Sequence, residues 1–159
     1  MHIEFLLNVF NEIKSNVSII WNGREFSYRS LIENIEKSNF YINSEHIKPG
    51  MVVALEGDFS PNSIALLLAL IKNECIIVPL ENKATINKEK LFDIAKVEFV
   101  FKINDNDVIT SENFSRDSNN NYYDEIREKK HPGLVLFTSG TSGEPKAAVH
   151  DFTALLQKF

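Results

Sequence analysis

A chain of 159 residues has the size of one domain and should bury about two-thirds of the surface that its unfolded form exposes. Hydrophobic residues make up 43% and charged residues 25%, ordinary globular usage that excludes a disordered or low-complexity chain. The net charge of −5 excludes a general electrostatic attraction to nucleic acid or to anionic membranes.

The chain opens with an amphipathic helix, since Ile3, Leu6, Leu7, Phe10 and Ile13 recur at helical spacing. Val17 to Trp21 and Arg24 to Tyr28 flank Asn22-Gly23, the preferred pair for a type I′ turn, and predict a β-hairpin. Ser30-Leu31-Ile32-Glu33 matches a capping box, and Leu31, Ile35 and Ile42 then share one face of the helix that follows.

The clearest unit comes next: apolar Met51 to Leu55, a helix opening at Ser60-Pro61, and apolar Cys75 to Leu80. Ser60 suits a cap, Pro61 suits the first helical position, and Ile64, Leu67, Leu68 and Ile71 form the expected buried stripe. Strands apolar at every position need cover on both faces, so this βαβ pattern predicts a mostly parallel sheet flanked by helices. A helix over Lys88 to Lys96 and a strand over Glu98 to Lys102 continue the alternation. Residues 103–132 are polar and aperiodic and read as a solvated connecting segment.

The single cysteine, Cys75, permits no internal disulfide and reads as a small buried hydrophobe. His2, His46, His131 and His150 are scattered, and no Cys or His cluster has metal-ligand spacing; no metal ligand is assigned. The N-terminus lacks a secretory pattern, and the apolar run from Ile64 to Ile71 is too short to span a bilayer. A cytoplasmic protein without a membrane span and without a nucleic-acid partner is the expectation.

Residues 134–146, LVLFTSGTSGEPK, carry the chemistry. An apolar run enters a loop of small hydroxyl and glycine residues that ends in Pro145 and Lys146. Gly140 and Gly143 allow backbone N–H groups to turn inward around an anion. Thr138, Ser139, Thr141 and Ser142 add hydroxyl donors, and Lys146 adds a compact positive charge. The spacing fits none of the commoner motifs. A P-loop would need four residues between its glycines and Gly-Lys-Ser/Thr at its end, whereas a dinucleotide fingerprint or a hydrolase elbow would need G-x-G-x-x-G or G-x-S-x-G. An ordinary surface turn uses the same residue types. The apolar strand leading into the loop argues for a fixed scaffold instead.

Phe137 through Lys146 matches every position of [YF]-T-S-G-[ST]-[ST]-G-x-P-K, and the chain thereby resembles the adenylate-forming (AMP-binding) superfamily of acyl-CoA synthetases and AMP-dependent ligases. Ala147 and Phe152 stand where that family usually has Gly and His. Ser27 to Leu31 resembles its TYxEL segment, Lys48 to Val52 its strand entry, and Ile76 to Leu80 its AxxVPL strand. The resemblance implies that the chain is the N-terminal part of the large lobe. Thr138, Ser139, Gly140, Thr141, Ser142, Gly143 and Lys146 would bind the nucleotide phosphates. It further implies a short strand at Lys146 to His150 and a helix capped near Asp151, where the residues alone also allow a helix starting at Pro145.

The implied chemistry is activation of a carboxylic acid with ATP and Mg2+ to an acyl-adenylate, followed by transfer to coenzyme A or another thiol acceptor. The remaining contacts and the C-terminal lobe with its adenylation lysine would follow these residues, in cis or in trans; Lys146 is not that lysine. The 159 residues are thus expected to lack catalytic residues of their own, to be inactive alone, and to expose an apolar surface through which they could dimerise. Two other classes stay open: a stand-alone nucleotide-binding subunit, and a non-catalytic interaction module that keeps the loop for folding.

Overall fold

The computed structural model describes residues 2–82, 88–114, 116–139 and 144–158. Helix α1 (Glu4–Glu12) leads into a hairpin of β1 (Val17–Trp21) and β2 (Arg24–Ser27). Its turn residues Asn22 and Gly23 both take positive φ, 49° and 73°, which is the type I′ geometry that their identities predicted.

Helix α2 (Tyr28–Ser44) begins three residues earlier than a cap at Ser30 would allow. Ser27 is the cap: its hydroxyl accepts the Ser30 N–H at 3.3 Å, and Ser30 Oγ donates back to the Ser27 carbonyl at 2.7 Å. The reason lies outside the helix. The first two helical amides, of Tyr28 and Arg29, donate to Asn16 O and Lys14 O, so the turn after α1 satisfies groups that would otherwise be orphaned and sets the start. Leu31, Ile35 and Ile42 are buried as the spacing requires.

Strands β3 (Val52–Glu56), β4 (Ile76–Leu80), β5 (Phe99–Ile103) and β7 (Gly133–Ser139) run parallel, and β6 (Ile109–Asn113) and β8 (Pro145–Asp151) add antiparallel edges. The six-stranded order is β6-β5-β3-β4-β7-β8, the mostly parallel sheet that the apolar runs imply. Ladder pairing starts after Met51 and Cys75 because those amides close a turn on Lys48 and the end of a helix on Leu70.

Successive strand residues feed opposite cores. Val53, Leu55, Ile77, Phe99 and Phe101 pack under α2 and α3 (Pro61–Lys72), while Val52, Ala54, Ile76, Val78 and Val100 pack under α4 (Lys88–Ala95) and α5 (Asn121–Glu128). Helix α3 departs from the single stripe predicted for it. Ala65, Leu66, Ala69, Leu70 and Ile71 are buried, whereas Ile64, Leu67 and Leu68 are only partly so. The buried arc is shifted because α3 is wedged between the sheet and α2, and its small alanines permit the close approach.

Residues 103–132 are not a bare connection. They hold the edge strand β6 and the helix α5, whose Tyr123 and Ile126 are buried in the second core. Two buried residues in a helix of eight are too few to register as a periodic signal, yet they suffice once the sheet offers a surface. The same segment supplies Asp107, whose carboxylate accepts the Asn62 N–H at 3.2 and 3.1 Å and the Ser60 hydroxyl, at the N-terminus of α3. A carboxylate there offsets both the unpaired amides and the positive end of the helix dipole.

After β8, Asp151 caps α6 (Phe152–Leu156) by accepting the amides of Thr153 and Ala154 at 3.0 and 3.3 Å. The strand-then-helix order therefore holds, and the alternative of a helix from Pro145 does not.

Candidate functional site

The parallel strands end together, at Glu56, Leu80, Ile103 and Ser139, so the segment that follows β7 emerges at the carboxyl edge of the sheet. Open α/β sheets bind ligands at that edge, because the chain diverges there and leaves backbone groups facing a crevice.

Strand β7 reaches this edge in an unusual manner. It is bonded to β4 only at Ile76 opposite Gly133 and Ile77 opposite Leu134, and from there it continues as a seven-residue hairpin arm paired with β8. Gly133 allows the contact. A Cβ there would sit 3.1 and 3.2 Å from the two γ carbons of the fully buried Ile76. Beyond that point β7 peels away from β4, which leaves Leu136 41% exposed.

The hairpin has two unlike faces. Val135, Phe137, Ala147 and Val149 pack into the core beneath α4 and α5. Residues paired across the ladder point to the same side, so Thr138 and Lys146, which are direct partners, lie together on the other side with Leu136 and Ala148. Both are exposed, and Lys146 has no carboxylate partner among the described residues. A hydroxyl beside an unpaired ammonium at the open edge of the sheet is a donor set that suits phosphate oxygens.

Of the loop residues singled out in the sequence, Thr138 and Lys146 are brought together as opposite members of the stem, and the Ser139 backbone pairs with Pro145. Gly140, Thr141, Ser142 and Gly143 lie outside the described residues. Among the described residues no group of three His, Cys, Asp or Glu side chains gathers to hold a metal ion, and nothing in this chain is assigned to Mg2+.

Sequence reasoning missed the surroundings of the stem. Lys88 bonds Glu56 at the end of β3, 2.5 Å away, and the carbonyl of Asn82 after β4 at 2.9 Å. Lys90, on the same turn of α4, bonds the Glu144 carboxylate at the exit of the loop. No local signal could pair residues 54 positions apart; only the packing of α4 on the hairpin does so.

Cys75 is buried, and burial pushes its thiol up to about 12, so it stays protonated and supplies no nucleophile. His131 is 2.9 Å from Asp151 and His2 is 2.8 Å from Thr153, both at the opposite end of the sheet from the loop. These histidines tie the chain together instead of serving the carboxyl edge.

Architecture and site together define an open α/β domain with a hydroxyl and a lysine facing each other on a hairpin at its carboxyl edge. A family model described as AMP-binding enzyme matches residues 11–159, and the chain belongs to that family, as an N-terminal portion of an adenylate-forming enzyme. Bacitracin synthase 2 of Bacillus licheniformis is 22% identical over 142 residues, which is 84% of this chain and 5% of that protein. The N-terminal subdomain of NpsA from Klebsiella oxytoca, solved with 3-hydroxyanthranilyl-AMSN, superposes with a TM-score of 0.65 at 19% identity over 89% of this chain and 39% of its own. NpsA has also been solved artificially fused to ThdA as an adenylation–PCP di-domain. VinN superposes with a TM-score of 0.70 at 10% identity over 98% of this chain and 46% of its own. The chain thus spans less than half the length of these relatives. Among the described residues no helix is long and apolar enough to cross a membrane.

Proposed function

We propose that the chain supplies the phosphate-binding part of an AMP-forming acid–thiol ligase, an acyl-CoA-synthetase-like enzyme that activates a carboxylic acid. The observation that carries this reading is the hairpin at the carboxyl edge of the sheet, with Thr138 and Lys146 opposite each other on its open face. In the reaction, a carboxylate oxygen of the acid attacks the α-phosphorus of ATP, the bond to the bridging oxygen of the β-phosphate breaks, and pyrophosphate leaves with that oxygen. The acyl-adenylate then passes its acyl group to a thiol.

The part played by these residues is electrostatic. Lys146 and the hydroxyl of Thr138, with Ser139, Gly140, Thr141, Ser142 and Gly143, hold the β- and γ-phosphates and offset the charge that builds on the departing pyrophosphate. Mg2+ would be bound with the nucleotide, and no residue here is given to it. The thiol acceptor is coenzyme A or a carrier-borne thiol; the carrier is favoured by the adenylation–PCP fusion among the similar structures. The exposed Leu136 and the outer edge of β8 form the surface that the rest of the large lobe covers in this reading.

The test uses ATP–pyrophosphate exchange by the parent enzyme. Lys146→Ala should lower exchange by about 100- to 1000-fold, the usual effect of removing one donor that faces developing charge. Unchanged exchange in Lys146→Ala would remove the phosphate role from this loop.

A further inference from the structure

We infer that Lys90, on α4 and outside the loop motif, is a positioning residue for the phosphate loop, acting through Glu144. The inference rests on the phosphate reading of the loop and adds to it a residue that fixes the loop's exit.

Helix α4 begins at Lys88, so Lys88 and Lys90 sit in its first turn, where the helix dipole disfavours positive charge. Such a placement calls for external carboxylates, and each lysine has one. Lys88 bonds Glu56 at the end of β3, and Lys90 bonds Glu144. The acids of α4 are served elsewhere, since Glu89 and Asp93 both receive Arg116 at 3.2 and 3.0 Å. The helix is thereby held by ion pairs to a strand end, to the segment that follows β6, and to the loop exit.

Apolar contact runs beside the charge. Leu91, Phe92 and Ala95 of α4 share a core with Phe137, Ala147 and Val149 of the hairpin. The hairpin therefore lies on α4 along one face, and the Lys90–Glu144 bond ties down the residue that leads into its second arm, two residues before Lys146. Lys146 then projects to the open face from a stem that is fixed at both ends. Without the bond, the exit would be held, among the described residues, by the ladder pairs and the apolar contact of Ala147, at the far end of a hairpin arm that has already left β4.

The two side chains are 45% and 63% exposed, so the bond is of the screened surface kind, and its effect should be modest, local and salt-sensitive. Hydrogen exchange on the 159-residue chain measures it without requiring any ligand. Lys90→Gln and Glu144→Gln should each speed exchange of the Lys146 to Ala148 amides about two- to fivefold at low salt, and the double variant should do no more than either single one. The charge swap Lys90→Glu with Glu144→Lys should restore slow exchange, and 1 M salt (roughly a 3 Å Debye length) should bring the wild-type chain near the single variants. Exchange at these amides that is indifferent to Lys90→Gln would overturn the inference.

A second arm titrates inorganic tripolyphosphate. Weakening in Lys90→Gln with recovery in Lys90→Arg supports positioning, whereas weakening in Lys146→Ala but not in Lys90→Gln overturns it. Binding that ignores Lys146→Ala counts against the phosphate reading itself, and with it against a positioning role, while the exchange result still decides whether Lys90 holds the stem.

Discussion

Asp151 shows how one side chain can serve two partners at once. Its carboxylate caps α6 and also accepts His131 Nδ1, and although burial pushes its pKa up, the bonds from His131 and from the amides of Ala154 and Thr153 prevail and hold it below the ordinary aspartate range. A carboxyl depressed in the folded state contributes stability that is present above the unfolded value, about 3.9, and is lost as pH falls through the lower folded value. Wild-type stability should accordingly fall more steeply with acid below about pH 4 than that of Asp151→Asn, as read by urea midpoints at a series of pH values. Equal acid slopes in the two proteins would show that the carboxylate is not held in this way. The family resemblance implied a cap near Asp151, but the pairing with His131, 20 residues earlier, needed the fold.

Among the elements, α5 and the β7–β8 hairpin show opposite degrees of legibility. The first arm of the hairpin was readable because LVLF is uniformly apolar, and the second was implied by the family resemblance that the long and specific loop motif carries. Helix α5 was not, because its sequence NYYDEIRE is mostly polar and hides two buried residues among charged ones. Tyr123 carries the packing of α5: it is 1% exposed, its hydroxyl donates to Ala95 O at 2.8 Å, and burial raises its pKa to about 12. The bond joins α5 to the last turn of α4, the helix that packs on the β7–β8 hairpin. Tyr123→Phe should cost about 1 kcal/mol for the lost bond, and Tyr123→Ala about 3–5 kcal/mol for the added cavity. Denaturant midpoints at unchanged slope measure both, and a neutral Tyr123→Ala would return α5 to the status of a surface connection.

For the whole molecule, the proposed function makes activity depend on residues of the parent protein beyond those described above. The chain spans 31% to 49% of the similar solved structures, and the hairpin proposed to bind phosphate lies at an open sheet edge. The purified 159-residue chain should give ATP–pyrophosphate exchange at background with a broad panel of carboxylic acids. Clear exchange by the chain alone would overturn the view that the other half of the site comes from elsewhere.

By itself the sequence determined the parallel α/β class, the I′ hairpin at Asn22-Gly23, the Ser60 cap and the family to which the loop motif points. All of these depend on interactions within a few residues or on runs of uniform hydrophobicity, and both are visible in linear order. Tertiary structure decided the rest. It chose Ser27 over Ser30 as the α2 cap by sending two amides to the preceding turn, and it brought Asp107 to the α3 N-terminus across 45 residues. It made two elements of a segment that reads as loop, and it set Lys90 against Glu144. Each of these depends on surfaces that exist only after the sheet has formed, so no window of sequence contains them.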